Sequence, residues 1–304
     1  MNLPNFFIAG SPRSGTTALF HYLKQHPEIY MCPDKEPYFF CTDFHEESDK
    51  FFKRNIRFPI RTKEDYLKLF KNAGNEKIVG EATPEYLFSK TAARNIFNFN
   101  KDSRILISLR NPVDYLYSLH AQLLYFNAEN IADFQKAFYL EPERRKGYHM
   151  PKGLLWPSSL YYSERIKYSE QVSRYLDIFP KDQIKIVIFE DFKADNLSAY
   201  RDILGFLDVA DDFKPLFNVY NPGGIPRLAS INQLLIFLGN MPIKNIIPPS
   251  LRKRVNITIR RLNKKPAKRL PLNPGFREQM LKEFRPHIEE LSRLLERDLV
   301  NLWR

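Results

Sequence analysis

Cysteine is nearly absent from this chain. Cys32 and Cys41 are the only two in 304 residues, and two thiols with no matching histidine pattern make no zinc site. Free, buried thiols are expected instead. No apolar run reaches the roughly 20 residues that a membrane-spanning helix needs. No basic, apolar and cleavage-site succession opens the sequence either. Asn5–Ala9 already reads as core strand, so a cytoplasmic protein is the expectation. There is no internal repeat and no clear linker, which points to one domain over 1–304. Carboxylates are missing from one stretch, Arg252–Arg269, which carries nine Lys and Arg and no Asp or Glu. Such a face attracts nucleic acid, an anionic glycan or an anionic membrane surface, or is simply a solvated face. No nucleic-acid recognition motif accompanies it, so a specific nucleic-acid partner is not expected, and peripheral membrane contact stays open.

The composition, 43% hydrophobic and 14% aromatic, is that of a globular chain rather than a disordered one. Short apolar runs stand at Phe6–Ala9, Lys77–Val79, Arg104–Leu109 and Ile184–Phe189. Continuous runs of this kind read as buried parallel strands, and the stretches between them are long enough for helices. The expectation is an α/β fold, a central parallel sheet flanked by helices. One helix is predicted over about Ser14 to Gln25, stopped before Pro27. Another follows Asn111-Pro112, with Asn as cap and Pro in the first helical position. Leu281, Phe284, Ile288, Leu291, Leu295 and Leu299 recur at helical spacing and predict a packed C-terminal helix, with Pro286 kinking it or starting a second one. Met241–Pro274, crowded with Pro and basic residues, reads as an irregular basic excursion.

The run "GSPRSGTT", Gly10–Thr17, joins the first strand to its helix. A glycine-bearing turn that opens a helix gathers backbone N–H groups that favour an anion. A nucleoside-triphosphate loop would carry a lysine after its last glycine to reach the outer phosphates. That lysine is missing: position 16 is Thr16, and the cation is Arg13, inside the turn.

Three further stretches follow in order: "KEPYFF" (Lys35–Phe40), "GEATPEYL" (Gly80–Leu87) and "ISLRNPVDYLYSLH" (Ile107–His120). Together with the loop they resemble the sulfotransferases that use 3′-phosphoadenosine-5′-phosphosulfate (PAPS), nearest the heparan-sulfate sulfotransferases and their bacterial relatives. The resemblance covers most of the chain and is weakest over 241–274. It implies a P-loop NTPase-like fold in which Arg13, Ser14, Gly15, Thr16 and Thr17 hold the donor's 5′-phosphosulfate. Arg110 and Ser118 match the family's 3′-phosphate pair, and Arg227 in "YNPGGIPRLAS" lies where relatives have a further phosphate loop. A donor with one phosphate and one sulfate at its 5′ end lacks the outer phosphates that the missing lysine would serve.

Glu36 resembles the family's catalytic glutamate and is expected to be the general base; His21 and His120 are the alternatives. The implied reaction is in-line transfer to an acceptor hydroxyl, of carbohydrate or glycan class, with Arg13 and the loop N–H groups stabilising the leaving oxygen and no metal required. A lipid, carrier-bound or small-molecule hydroxyl, or an amine, is the other acceptor reading. Two positions depart from the family pattern. Ala82 stands where glycan enzymes often have a lysine, and Tyr115 where many relatives carry an arginine. A different class rests on "IKIVIFED", where Glu190 and Asp191 end a strand as the magnesium-holding carboxylates of a P-loop kinase would. For Arg110 the competing role is a structural ion pair with Asp114.

Overall fold

A computed structural model describes residues 3–53, 57–218, 224–226, 264–266 and 269–304. They belong to two compact units, one drawn from Met1–Leu116, Ser163–Tyr220 and Gln279–Arg304, the other from Tyr117–Tyr162 and Asn221–Glu278.

The first unit is built on five strands: β1 (Phe6–Gly10), β2 (Ile29–Met31), β3 (Ile78–Ala82), β4 (Arg104–Leu109) and β5 (Ile184–Ile188). They lie in the order β2-β3-β1-β4-β5, and every pairing is parallel. The four expected runs are all strands. β2 is an addition: three residues at a sheet edge are too few to show a period. β1 takes the centre, with Phe6 opposite Gly80 of β3 on one side and Arg104 of β4 on the other. All five residues of β1 and of β3 are buried.

Because successive side chains of a strand point to opposite faces, β1 serves two cores. Phe6 and Ile8 pack with Leu19 and Leu23 of α1 (Thr16–Leu23) and with Ile203, Leu204 and Leu207 of the helix Asn196–Leu207. Phe7 meets Phe40 edge-on at 5.6 Å, and Phe40 in turn meets Tyr66 at 5.2 Å and Tyr86 at 5.7 Å. Fully buried aromatics of this size supply much of the burial energy, and the edge-to-face geometry adds about 0.5–1.5 kcal/mol per pair.

The helix after Asn111-Pro112, here α2, spans Pro112–Tyr125. Asn111 caps it as the sequence predicts: its Oδ1 accepts from Val113 N at 3.0 Å and Asp114 N at 3.3 Å. The C-terminal stripe forms one helix, Pro274–Leu294, with Pro286 inside it, and a short second helix, Leu299–Leu302. Phe284, Ile288, Leu291 and Leu299 are buried. Both cysteines are free and buried. Among the described residues no helix is long and apolar enough to cross a membrane.

In the second unit a buried ion pair joins Arg144 to Glu129 at 2.7 Å, and Tyr162 donates to the other Glu129 oxygen at 2.9 Å. Phe134 packs on Tyr162 and Phe276 around it. β6 (Gly224–Pro226) and β7 (Lys264–Pro266) pair antiparallel. β7 falls within the stretch expected to be irregular; most of 241–274, and Arg227, lie outside the described residues.

Candidate active site

Open parallel sheets place ligand sites beyond the C-terminal ends of their strands, and the loop Ser11–Gly15 lies there, between β1 and α1. Gly15 has φ +81°, and a Cβ on it would stand 3.0 Å from the Phe189 ring, so neither the conformation nor the space suits another residue. Gly10 is required for closeness alone: a Cβ there would clash with Leu87 Cβ. Arg13 also has positive φ, 62°, a conformation that a side-chain-bearing residue holds only when its surroundings impose it. Left-handed residues in a turn gather successive N–H groups into a concavity that takes an anion.

The surroundings of the loop are hydroxyls behind it. Ser11 N donates to Ser108 O at 2.6 Å, Ser108 Oγ donates to Ser14 O at 2.5 Å, and the Ser11 and Ser14 hydroxyls are 2.6 Å apart. All three serines are buried. The Ser14 hydroxyl is therefore engaged within the loop, and what Ser14 can offer an anion is its backbone. Ser11 and Ser108 cannot be picked out from the sequence, because an isolated serine carries no signal of what it bolts together.

Arg110 leaves the end of β4 and donates from Nη1 to Arg13 O at 3.0 Å, with its guanidinium 4.9 Å from the Phe189 ring centroid. Among the described residues it reaches back to the loop rather than forward to Asp114. Burial lowers the proton affinity of Arg13, the neighbouring Arg110 charge adds to that, and Glu36 acts in the opposite direction. Two cations and one carboxylate thus converge on the loop, which leaves it an excess of positive charge.

Glu36 stands in a loop of unusual backbone. Glu36 has φ +60° and Tyr38 φ +57°, on either side of Pro37. Glu36 N donates to Ala82 O at 3.0 Å, which ties the loop to the end of β3. Tyr38 OH donates to Glu36 Oε2 at 3.1 Å. Lys35, the chain neighbour of Glu36, turns to α1, donating to Thr17 Oγ1 at 3.1 Å.

Residues 4–213 match the family model described as "Sulfotransferase family". The chain belongs to that family. It is 33% identical over 112 residues to the Membrane-associated sulfotransferase kil1 of Dictyostelium discoideum, a match covering 37% of this chain and 21% of that protein. It is 24% identical over 256 residues to the Carbohydrate sulfotransferase 15 of Rattus norvegicus, covering 68% of this chain and 44% of that one. The chain thus spans less than half the length of these two curated relatives. A sulfotransferase crystal structure from Alicyclobacillus acidocaldarius superposes over 100% of both chains, with a TM-score of 0.72 and 28% identity. The P-loop NTPase-like architecture expected from the sequence is the one these sulfotransferases share.

Set within the sulfotransferase family, the two departures acquire surroundings. Ala82 is buried at the end of β3, beside the Glu36 amide. Tyr115 is buried too, and its hydroxyl accepts from Arg165 Nη1 at 3.3 Å. Arg165 pairs with Glu85 at 2.9 Å and lies over the Phe88 ring, 4.3 Å from its centroid. Burial raises the Tyr115 phenol to about 12. Position 115 therefore takes part in a buried polar network. Ser118 sits on α2, the helix that the sequence predicts after Asn111-Pro112.

The carboxylates on which the kinase reading turned are engaged in structure. Glu190 Oε1 accepts from Asn111 N at 3.1 Å and its Oε2 from the Trp303 indole at 3.0 Å. Asp191 accepts from Arg297 Nη2 at 2.8 Å. His120, an alternative base, is bonded from Nε2 to Ile131 O at 2.8 Å and meets Arg269 at Nδ1 at 2.7 Å. Burial first, and Arg269 after it, push His120 down to about 4. His21 packs edge-on against Phe20, and burial, with Lys35 and Lys24, lowers its proton affinity.

Behind Glu36, Glu81 is buried and accepts from three hydroxyls: Tyr66 at 2.8 Å, Thr83 at 2.8 Å and Tyr86 at 2.7 Å. Burial outweighs these donors and raises Glu81 from 4.5 to about 7. Between those values the folded protein holds a proton that the unfolded chain releases, so stability should fall as pH rises through this window. Urea midpoints measured from pH 4.5 to 7.5 should show that decline, and Glu81→Gln should flatten it. An identical slope in the variant would assign the pH dependence to other groups.

Proposed function

We propose that this chain is a PAPS-dependent O-sulfotransferase, acting as one catalytic domain on an acceptor hydroxyl of saccharide class. One observation carries the reading: the left-handed, serine-backed loop at the N-terminus of α1 holds Arg13, Arg110 reaches it from the end of β4, and Glu36 lies near that charge. This fits a donor with a single 5′-phosphosulfate, since Thr16 occupies the position of the triphosphate lysine. Carbohydrate sulfotransferase 15, matched over most of this chain, supports a saccharide acceptor.

The residues divide the work by their chemistry. Arg13 and the N–H groups of Ser14–Thr17 hold the 5′ anion and oppose the charge that builds on the leaving phosphate oxygen. Arg110 and Ser118 take the 3′-phosphate, the guanidinium through paired N–H donors. Arg227 is assigned to the same phosphate on the strength of the family pattern alone. Glu36 accepts the hydroxyl proton as the acceptor oxygen bonds to sulfur; the sulfur–phosphate bridge breaks with its electron pair going to the phosphate. Tyr38, donating to Glu36 Oε2, leaves the other oxygen for that proton.

The test is transfer of radioactive sulfur from PAPS to a panel of polysaccharides, glycolipids and small alcohols, with a chelator present throughout. Label should enter a saccharide. The desulfated product, adenosine 3′,5′-bisphosphate, should bind far more tightly than AMP or ATP by calorimetry. Consumption of ATP with magnesium, with no use of PAPS, would sink the reading.

A further inference from the structure

Of the two charged residues of "KEPYFF", Glu36 has a part in the proposed reaction and Lys35 has none. It is half-buried, and its ammonium reaches across from the loop after β2 to the first turn of α1, donating to Thr17 Oγ1 at 3.1 Å. Its Nζ also lies 5.3 Å from the Phe20 ring centroid, so the approach is flanked by an aromatic face. An ammonium has three donors. Among the described residues Thr17 takes one of them, and no carboxylate comes within ion-pair distance of it. Burial lowers the proton affinity of this amine, and only the nearby Glu36 charge works against that. A partly desolvated cation with donors to spare, fixed at a helix N-terminus, suits an anion at that point.

We infer that Lys35 is a further catalytic residue, whose ammonium contacts the sulfuryl oxygens of the donor during transfer. The inference rests on the sulfotransferase reading of the loop. Two positions make room for it. The lysine that a nucleotide loop carries on its own helix is replaced by Thr16, and the one that glycan enzymes often carry at the position ending β3 is replaced by Ala82. Lys35 delivers a cation to the same helix N-terminus from a neighbouring loop, held there by Thr17. Its immediate neighbour in the chain is Glu36, so one short, strained segment presents the cation for the sulfuryl group and the base for the acceptor. Glu36 N, tied to Ala82 O, fixes the register of both.

Lys35→Met keeps the apolar stem and removes the charge; Lys35→Arg keeps a charge with a different shape. The affinities for PAPS and for adenosine 3′,5′-bisphosphate, which differ only by the sulfuryl group, are measured by calorimetry beside turnover and the unfolding midpoint. Lys35→Met should weaken PAPS about tenfold, the scale of one charged hydrogen bond, and leave the bisphosphate within about threefold. Turnover should fall about 10²-fold, as when one donor to a developing charge is lost, with partial recovery in Lys35→Arg. Equal weakening of both ligands would overturn the inference and make Lys35 a phosphate contact. A lowered unfolding midpoint with normal turnover of the folded fraction would overturn it too, leaving a structural clasp on Thr17. Failure of the unaltered protein to bind either ligand would overturn the reading of the loop and this inference with it. Wild-type binding with an unaffected Lys35→Met variant would overturn only the inference.

Discussion

Glu36→Gln is expected to lower turnover by about 10²–10⁴-fold, the usual worth of a positioned general base, and to leave the affinity for adenosine 3′,5′-bisphosphate nearly unchanged. Glutamine has the same size and keeps an oxygen that can accept the Tyr38 hydroxyl, now 3.1 Å from Glu36 Oε2. It cannot take a proton from the acceptor. A sugar hydroxyl is a weak nucleophile at neutral pH, so the loss should fall on the chemical step and hence on kcat rather than on donor binding. A purely structural glutamate would behave differently: the substitution would lower the unfolding midpoint and leave turnover of the folded fraction near normal. The contact that would have favoured that outcome, an ion pair with Lys35, is replaced by the bond from Lys35 to Thr17. Near-normal turnover with an authentic acceptor would remove Glu36 as base. His120, held between Ile131 and Arg269, would be a poor successor, which leaves His21 as the next residue to substitute.

Arg110→Ala should reduce the preference for adenosine 3′,5′-bisphosphate over AMP by about 2–4 kcal/mol, the scale for truncating one partner of a desolvated charge pair. The difference between the two ligands is the informative quantity, because Arg110 also braces the loop through Arg13 O. Loosening the loop would weaken both nucleotides alike, whereas a lost 3′-phosphate contact weakens only one. Calorimetry on the two ligands with wild type and variant separates these effects. Parallel weakening would reassign Arg110 from ligand contact to support of the loop.

Much of the sheet was legible from the sequence because buried parallel strands are continuous apolar runs, as in Ile105–Leu109, where every residue is buried. The edge strand Ile29–Met31 was not, being too short for a pattern. The loop was legible from its glycine, cation and threonines. Its hold on β4 was not, since that depends on Ser108, 94 residues from Ser14. Lys35 could be seen only as a neighbour of Glu36 in the chain; its contact with Thr17 is a product of how β2 is placed beside β3. Glu190 and Asp191 read as metal ligands from their position at a strand end, and the residues that engage them, Trp303 and Arg297, come more than 100 residues later. Arg227 and most of the basic stretch lie outside the described residues, so for them the sequence remains the only guide.

The clasp at the end of β4 has a consequence for how the protein is made. Asn111, which follows Arg110 and caps α2, donates from Nδ2 to Trp303 O across 192 residues, and Glu190 bridges the Asn111 amide to the same tryptophan. At a ribosomal rate of about 5–20 residues per second, the β4 segment waits roughly 10–40 s after its own emergence before Trp303 exists to close the clasp. During that interval β1, β3 and β4 can pair, but the junction that aims Arg110 is held on one side only. The sheet can therefore begin to pair before Trp303 is made, while the junction beside Arg110 is closed only once Trp303 has emerged.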